Sequence, residues 1–90
     1  MYYVYILFSE QDRLLYTGFC NDLKARFDKH QKGFVKATKH RRPLKLIYYE
    51  SYLNELDARR REVYFKGGKG KAELKIQLQE IFKEIGYKNS

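Results

Sequence analysis

Two tyrosines, an arginine, a histidine and a glutamate carry the side chains whose types and spacing lend themselves to chemistry: Tyr5, Tyr16, Arg26, His30 and Glu62. The tyrosines come one each from two apolar runs, Tyr3-Val4-Tyr5-Ile6-Leu7-Phe8 and Leu14-Leu15-Tyr16-Thr17-Gly18, separated by a polar break that reads as the turn of a β-hairpin. Tyrosine is common in strands for packing reasons alone, so the pair matters only if other groups meet it. With Ser9-Glu10-Gln11-Asp12 as the loop, Phe8 faces Arg13 and Tyr5 lies across from Tyr16 on one face; a five-residue loop reverses that parity. The break lacks the Asn-Gly or Asp-Gly pair that would fix the register.

Arg26 and His30 belong to a segment that reads as a helix from Leu23 to Lys32, with Asn21-Asp22 as N-cap and Gly33 as stop. Leu23, Arg26, Phe27 and His30 fall at i, i+3, i+4 and i+7, one stripe of that helix, while Lys24, Asp28 and Gln31 take the other side. The stripe alone leaves two readings: a functional pair, or an Arg26 that snorkels past Phe27 to water with His30 merely ending the stripe. Glu62 falls in a second helix capped by Asn54 and ended at Lys66 by Gly67-Gly68. It shares a face with Ala58 and Phe65, and pairing with Arg59 or Lys66 is an equally good account of it.

Between these helices, Gly33 to Pro43 has no apolar period and concentrates Lys36, Lys39, His40, Arg41 and Arg42; with Lys45 beyond them, these are candidate phosphate contacts. A solvated charge run is the plainer alternative. Leu44 to Glu50 reads as a third strand, with Pro43 tolerable at its start. Gly67-Gly68-Lys69-Gly70-Lys71 lacks the hydroxyl residue and the upstream glycine of a phosphate loop and reads as a flexible linker. After it, Leu74, Leu78, Ile81, Phe82 and Ile85 predict one C-terminal helix over about 71–85, and 86–90 is a tail expected to fray.

Ninety residues, 43% hydrophobic, suit one domain (1–85) with one modest core. Nineteen Lys and Arg against eleven Asp and Glu give +8, which favours a polyanionic partner, most simply nucleic acid, with an acidic membrane surface as the alternative. No apolar run is long enough to span a membrane, and charge beginning at Glu10 comes too early for a signal peptide, so a cytoplasmic location is expected. The single cysteine, Cys20, permits neither an internal disulfide nor a cysteine zinc site.

Taken together, these residues resemble the GIY-YIG nuclease superfamily, and more closely its small single-domain bacterial members related to the catalytic domain of Slx1-type endonucleases. Over residues 2–67, Val4-Tyr5-Ile6 stands at the first motif, Tyr16-Thr17-Gly18 at the second, Arg26 ten positions on and Glu62 on a later helix. His30, Gly33, Thr38, Pro43, Tyr48 and Glu50 follow the spacing of the small bacterial group. The first motif's glycine is absent, Thr17 replaces isoleucine, and Phe19 stands where repair-incision relatives carry lysine. The resemblance implies an α/β (α+β) fold, a three-stranded antiparallel sheet flanked by helices, and DNA phosphodiester hydrolysis with Mg²⁺ (or Mn²⁺). A tyrosine would be the base, by resemblance Tyr16, which precedes Gly18, with Tyr5 orienting water or phosphate; Arg26 would be the donor to phosphate, Glu62 the metal ligand, and His30 a proton partner for a tyrosine. Such a site needs a base, a cation on the non-bridging oxygens and a Lewis acid at the leaving oxygen. The competing expectations are a nucleic-acid-binding module without catalysis, in which tyrosines stack on bases, and a protein-interaction domain using the tyrosine-rich surface.

Overall fold

The computed structural model describes residues 1–87 and has the element order β1 (Tyr2–Ser9), β2 (Leu15–Cys20), α1 (Leu23–Gln31), a short 3-10 turn (Lys39–Arg41), β3 (Leu44–Tyr52), α2 (Glu55–Lys66), α3 (Gly68–Gln77) and α4 (Gln79–Glu84). The strands form one antiparallel sheet in the order β2-β1-β3. Helices cover both faces, so the central strand is buried from Val4 to Phe8 and its sequence is a continuous apolar run instead of an alternating one. Alternation along β1 still sorts the side chains. Val4 and Ile6 meet Ala58, Phe65 and Leu74 of α2 and α3. Tyr5 and Leu7 form a second core with Cys20 and Leu44, packed against Leu23 and Phe27 of α1.

The hairpin register differs by two residues from the four-residue-loop expectation. Phe8 pairs with Leu15, Tyr5 with Gly18 and Leu7 with Tyr16, so the loop takes in Ser9 to Leu14. A shift of two preserves the face, and Tyr5 and Tyr16 remain on the same side as diagonal neighbours. The turn is built by side chains: Ser9 Oγ accepts from the amides of Gln11 and Asp12, Asp12 accepts from the Leu14 amide, and Arg13 adopts a left-handed backbone.

Local signals fix the first two helices. Asp22 caps α1 by accepting from the Ala25 amide, and Asn54 caps α2 by accepting from Leu56. Arg61 of α2 makes a forked pair with Glu50 of β3, also reaches Glu73 of α3, and lies over the Phe65 ring at 4.2 Å. Burial acts to raise the Glu50 pKa, but hydrogen bonds from Arg61, Tyr48 and Tyr52 outweigh it and hold the carboxyl below its usual range.

The glycine-rich stretch is not a linker. It forms the first turn of α3, and Gly70 is buried against the end of α2, where a Cβ would fall 2.0 Å from the Tyr64 carbonyl oxygen. Close helix crossing therefore overrides the poor helix propensity of glycine. Nor is the C-terminal helix continuous, because it breaks at Leu78 into α3 and α4. Gly86 and Tyr87 are docked instead of frayed: Arg13 donates to the Ile85 and Gly86 carbonyls, and Tyr87 packs on Phe82 and Phe8. The rest of the expected tail lies outside the described residues.

Gly18 has a specific task in this sheet. A Cβ there would sit 2.3 Å from Tyr5 Cζ and 2.4 Å from its hydroxyl oxygen, so the missing side chain is the seat of the Tyr5 ring. Alanine is intrinsically better than glycine in a strand. Gly18→Ala should nonetheless lower stability by about 1–3 kcal/mol, the cost of overpacking a filled core. Equilibrium urea unfolding checks this, and an unchanged or raised midpoint would show that the ring has room to move.

Candidate functional site

β1 supplies Tyr5, β2 Tyr16, and α1 Arg26 and His30, and the α1 face of the sheet brings all four together. The Tyr5 hydroxyl lies 2.8 Å from His30 Nε2 and receives the Arg26 Nε–H at 3.4 Å. His30 Nδ1 is 2.6 Å from Thr38 Oγ1 in the basic loop. The direction of this chain follows the His30 tautomer: where the Tyr5 hydroxyl donates to Nε2, Nδ1–H donates to Thr38. The Tyr16 ring stands edge-on to His30 at 5.3 Å between centroids and tilted to Tyr5 at 6.4 Å. Thus His30 does not merely end an apolar stripe: it is 0% exposed and bonded at both ring nitrogens.

The two tyrosines are chemically distinct. Tyr5 is buried, and burial, only partly offset by the Arg26 hydrogen bond, pushes its pKa up to about 12. Its hydroxyl is committed to His30 and Arg26. Tyr16 is half-buried, and its hydroxyl bonds to no other described residue. Arg26 and Lys29 line an open cleft of about 350 Å³ with Phe19, Cys20, Asn21, Asp22 and Ala25.

Glu62 forms no hydrogen bond or ion pair with these four side chains among the described residues. Its helix covers the opposite face of the sheet, where Glu62 is partly buried and paired with Lys66 at 3.0 Å, one of the two partners the sequence offers. One turn before it, Arg59 lies over the Phe19 ring at 4.1 Å, which puts this side of α2 along β2, the free edge of the sheet. Among the described residues no group of three or more His, Cys, Asp or Glu could hold a metal ion.

The candidate phosphate contacts divide in two. Arg41 is tied to Asp12 and to the Leu15 carbonyl, Arg42 donates to the Lys39 and Gln31 carbonyls and packs on Gly33, and Lys45 pairs with Glu10 at 3.3 Å. Lys36, Lys39 and His40 are exposed and have no ion-pair partner among the described residues. Sequence reasoning overlooked two features of the site: Thr38 as the partner of His30, and Gly18 as the seat of Tyr5. Thr38 is 0% exposed in a loop that has no apolar period, so no local pattern marks it.

Burial and the nearby Arg26 charge lower the His30 pKa from 6.5 to about 4. Between those values an unfolded chain binds a proton that the folded one refuses, so stability is full above pH 6.5 and declines as the pH falls toward 4. The loss attributable to His30 is on the order of 3 kcal/mol. Urea midpoints measured from pH 7.5 to 4 should show this decline, and His30→Gln should flatten it.

Comparison with known proteins finds relatives of this chain and a solved structure of the same fold. A UPF0213 protein of Clostridium perfringens is 39% identical over 88 residues, covering 97% of this chain and 94% of that one. A second, from Staphylococcus epidermidis, is 40% identical over 80 residues, covering 88% and 95%. The solution NMR structure of the UPF0213 protein from Bacillus halodurans superposes with a TM-score of 0.56 at 32% identity, covering 100% of this chain and 98% of the other. The GIY-YIG catalytic domain matches residues 1–75, which include both tyrosine motifs, Arg26, His30 and Glu62. With its three-stranded sheet and paired tyrosines, this chain belongs to the GIY-YIG family.

Proposed function

We propose that the protein is a divalent-metal-dependent endonuclease that hydrolyses DNA phosphodiester bonds. One observation carries the reading: of two neighbouring tyrosines, Tyr5 is locked into a buried hydrogen-bond chain, while Tyr16 presents an unspent hydroxyl beside a cation. A proton acceptor must reach water and a positioning residue must not, and this pair differs in that respect.

In this reading Tyr16 acts as its phenolate, having released its own proton to solvent with the positive charge of Arg26 favouring the anion, and takes the proton from the attacking water to return to the phenol. Arg26 donates to the non-bridging phosphate oxygens, its guanidinium held by the Tyr5 hydroxyl through Nε, which leaves its terminal nitrogens for substrate. Tyr5 is a positioning residue, and His30, neutral at physiological pH, keeps Tyr5 in place. Lys36, Lys39 and His40 meet phosphates, while Arg41, Arg42 and Lys45 chiefly hold the loop.

Glu62 is the candidate metal ligand. A lone carboxylate suits Mg²⁺, with Mn²⁺ as its substitute, because Mg²⁺ retains several waters and takes further oxygens from phosphate. The fit is reasonable on chemical grounds: Glu62 is a hard oxygen donor whose only ion pair among the described residues is with a solvent-exposed lysine, a weak interaction that a divalent cation displaces at little cost. When bound, the ion supplies Lewis-acid stabilisation of the leaving oxygen.

A DNA-binding module without catalysis is the second reading, favoured by the pairing of Glu62 with Lys66. Incubation of plasmid, single-stranded and branched DNA with Mg²⁺ or with chelator separates the two, since only the enzyme nicks DNA and only with metal. Tyr16→Phe should lower the cleavage rate roughly a hundredfold or more, and Tyr5→Phe less. A dead Tyr5→Phe beside an active Tyr16→Phe would exchange the roles. Glu62→Gln should abolish cleavage while DNA binding, measured by fluorescence anisotropy, is retained or tightened; full cleavage by this variant would remove Glu62 from the mechanism.

A further inference from the structure

Phe34 is a large apolar side chain left 73% exposed on the most basic segment of the chain. An isolated exposed apolar residue needs no explanation in itself. Here, however, the backbone beneath it is rigidly built. Gly33 takes the left-handed conformation that ends α1, and the Phe34 amide donates to the Lys29 carbonyl at 2.9 Å. The Arg42 guanidinium packs against Gly33 and bonds the end of α1, while Val35 and Thr38, on either side of Lys36, are buried. The ring is thus held out in water by a fixed loop, at low entropic cost to any partner that covers it.

Its surroundings indicate the partner. Lys29, Lys36 and Lys39 are exposed and unpaired among the described residues, and Lys29 shares an open cleft with Arg26, which bonds Tyr5. A line of cations therefore leads along α1 from the reacting centre to the ring. From Arg26 to the end of α1 at Gln31 the helix rises roughly 8 Å, so the ring beyond it lies within a few nucleotides' reach of Arg26 along a bound strand. A protein partner would have to cover these lysines with acids, whereas a nucleic-acid strand brings a phosphate and a flat base at every step.

The geometry points to Phe34 as a base-stacking residue that engages an unpaired nucleotide a few positions from the phosphate at Arg26, so that the preferred substrate is DNA with a single-stranded portion. This rests on the nucleic-acid reading above and names its substrate class. The side chain supplies recognition and no chemistry. In duplex DNA the faces of the bases are already covered by their neighbours, so the ring gains nothing there.

The test is binding without metal, in EDTA, to a single-stranded oligonucleotide carrying 2-aminopurine and to the blunt duplex of the same sequence, with cleavage of the same DNAs in Mg²⁺ measured separately. Phe34→Ala, being exposed, should leave the circular dichroism unchanged. It should weaken single-strand binding roughly five- to hundredfold, abolish the 2-aminopurine quenching and leave the duplex affinity as it was. Phe34→Tyr should restore binding and quenching, and Phe34→Leu should not. Equal single-strand affinity for the wild type and Phe34→Ala, or equal losses on single strand and duplex, would overturn the assignment. Cleavage by the wild type with no effect of Phe34 refutes the stacking role alone, whereas Phe34-dependent binding without cleavage refutes the nuclease reading and supports the stacking role.

Discussion

Tyr5, His30 and Thr38 are all withdrawn from water, and each carries a polar group that is costly to bury unless it is bonded. They satisfy one another in a chain that crosses from β1 through α1 to the basic loop. Losing any member would leave a buried neighbour unsatisfied, and that asymmetry sets the geometry more firmly than the modest net gain of each bond. No buried side-chain polar atom among the described residues lacks a partner. Because the chain passes through the Tyr5 hydroxyl, it also determines where the Arg26 guanidinium sits and which tyrosine keeps a free hydroxyl. Gly18 makes the arrangement possible by leaving space for the ring.

The sheet acts as a partition. Residues alternate between its faces, so α1 and the tyrosines occupy one side, and α2 and α3 the other. A carboxylate on α2 can serve a centre on the α1 side only around the free edge of β2, the strand that carries Tyr16. The Arg61 fork to Glu50 and Glu73 fixes α2 and α3 against β3, so the position of Glu62 is set by a charged network that includes none of the tyrosines of the site.

Net charge is a poor guide to where a ligand is held. Several arginines have structural duties: Arg61 bridges three elements, Arg41 closes the loop onto the hairpin turn, Arg13 ties down Gly86, and Arg59 covers Phe19. A planar guanidinium with five donors can serve several carbonyls and carboxylates at once, which makes it the natural brace. The cations left in solvent around α1 and its loop are mainly lysines, Lys29, Lys36 and Lys39 among them.

Periodicity and punctuation carried much of the fold. The apolar run of β1, the Asp22 and Asn54 caps and the stripe Leu23-Arg26-Phe27-His30 are local features, and local backbone preference decides them. The same stripe showed that Arg26 and His30 share a face, and motif order placed Tyr5, Tyr16 and Glu62 with them in one family pattern. Hairpin register depended on Ser9 and Asp12 bonding backbone amides, which no turn dipeptide announced. The glycine-rich stretch read as a linker because propensity weighs the backbone alone, whereas the close approach of Gly70 to Tyr64 and Phe65 holds it in a helix. Which tyrosine is buried, why Gly18 carries no side chain and that Thr38 completes the His30 chain became visible only when strands from distant parts of the sequence were packed. Burial and hydrogen bonding between residues 25 positions apart in the sequence are properties of the tertiary structure and have no local signature.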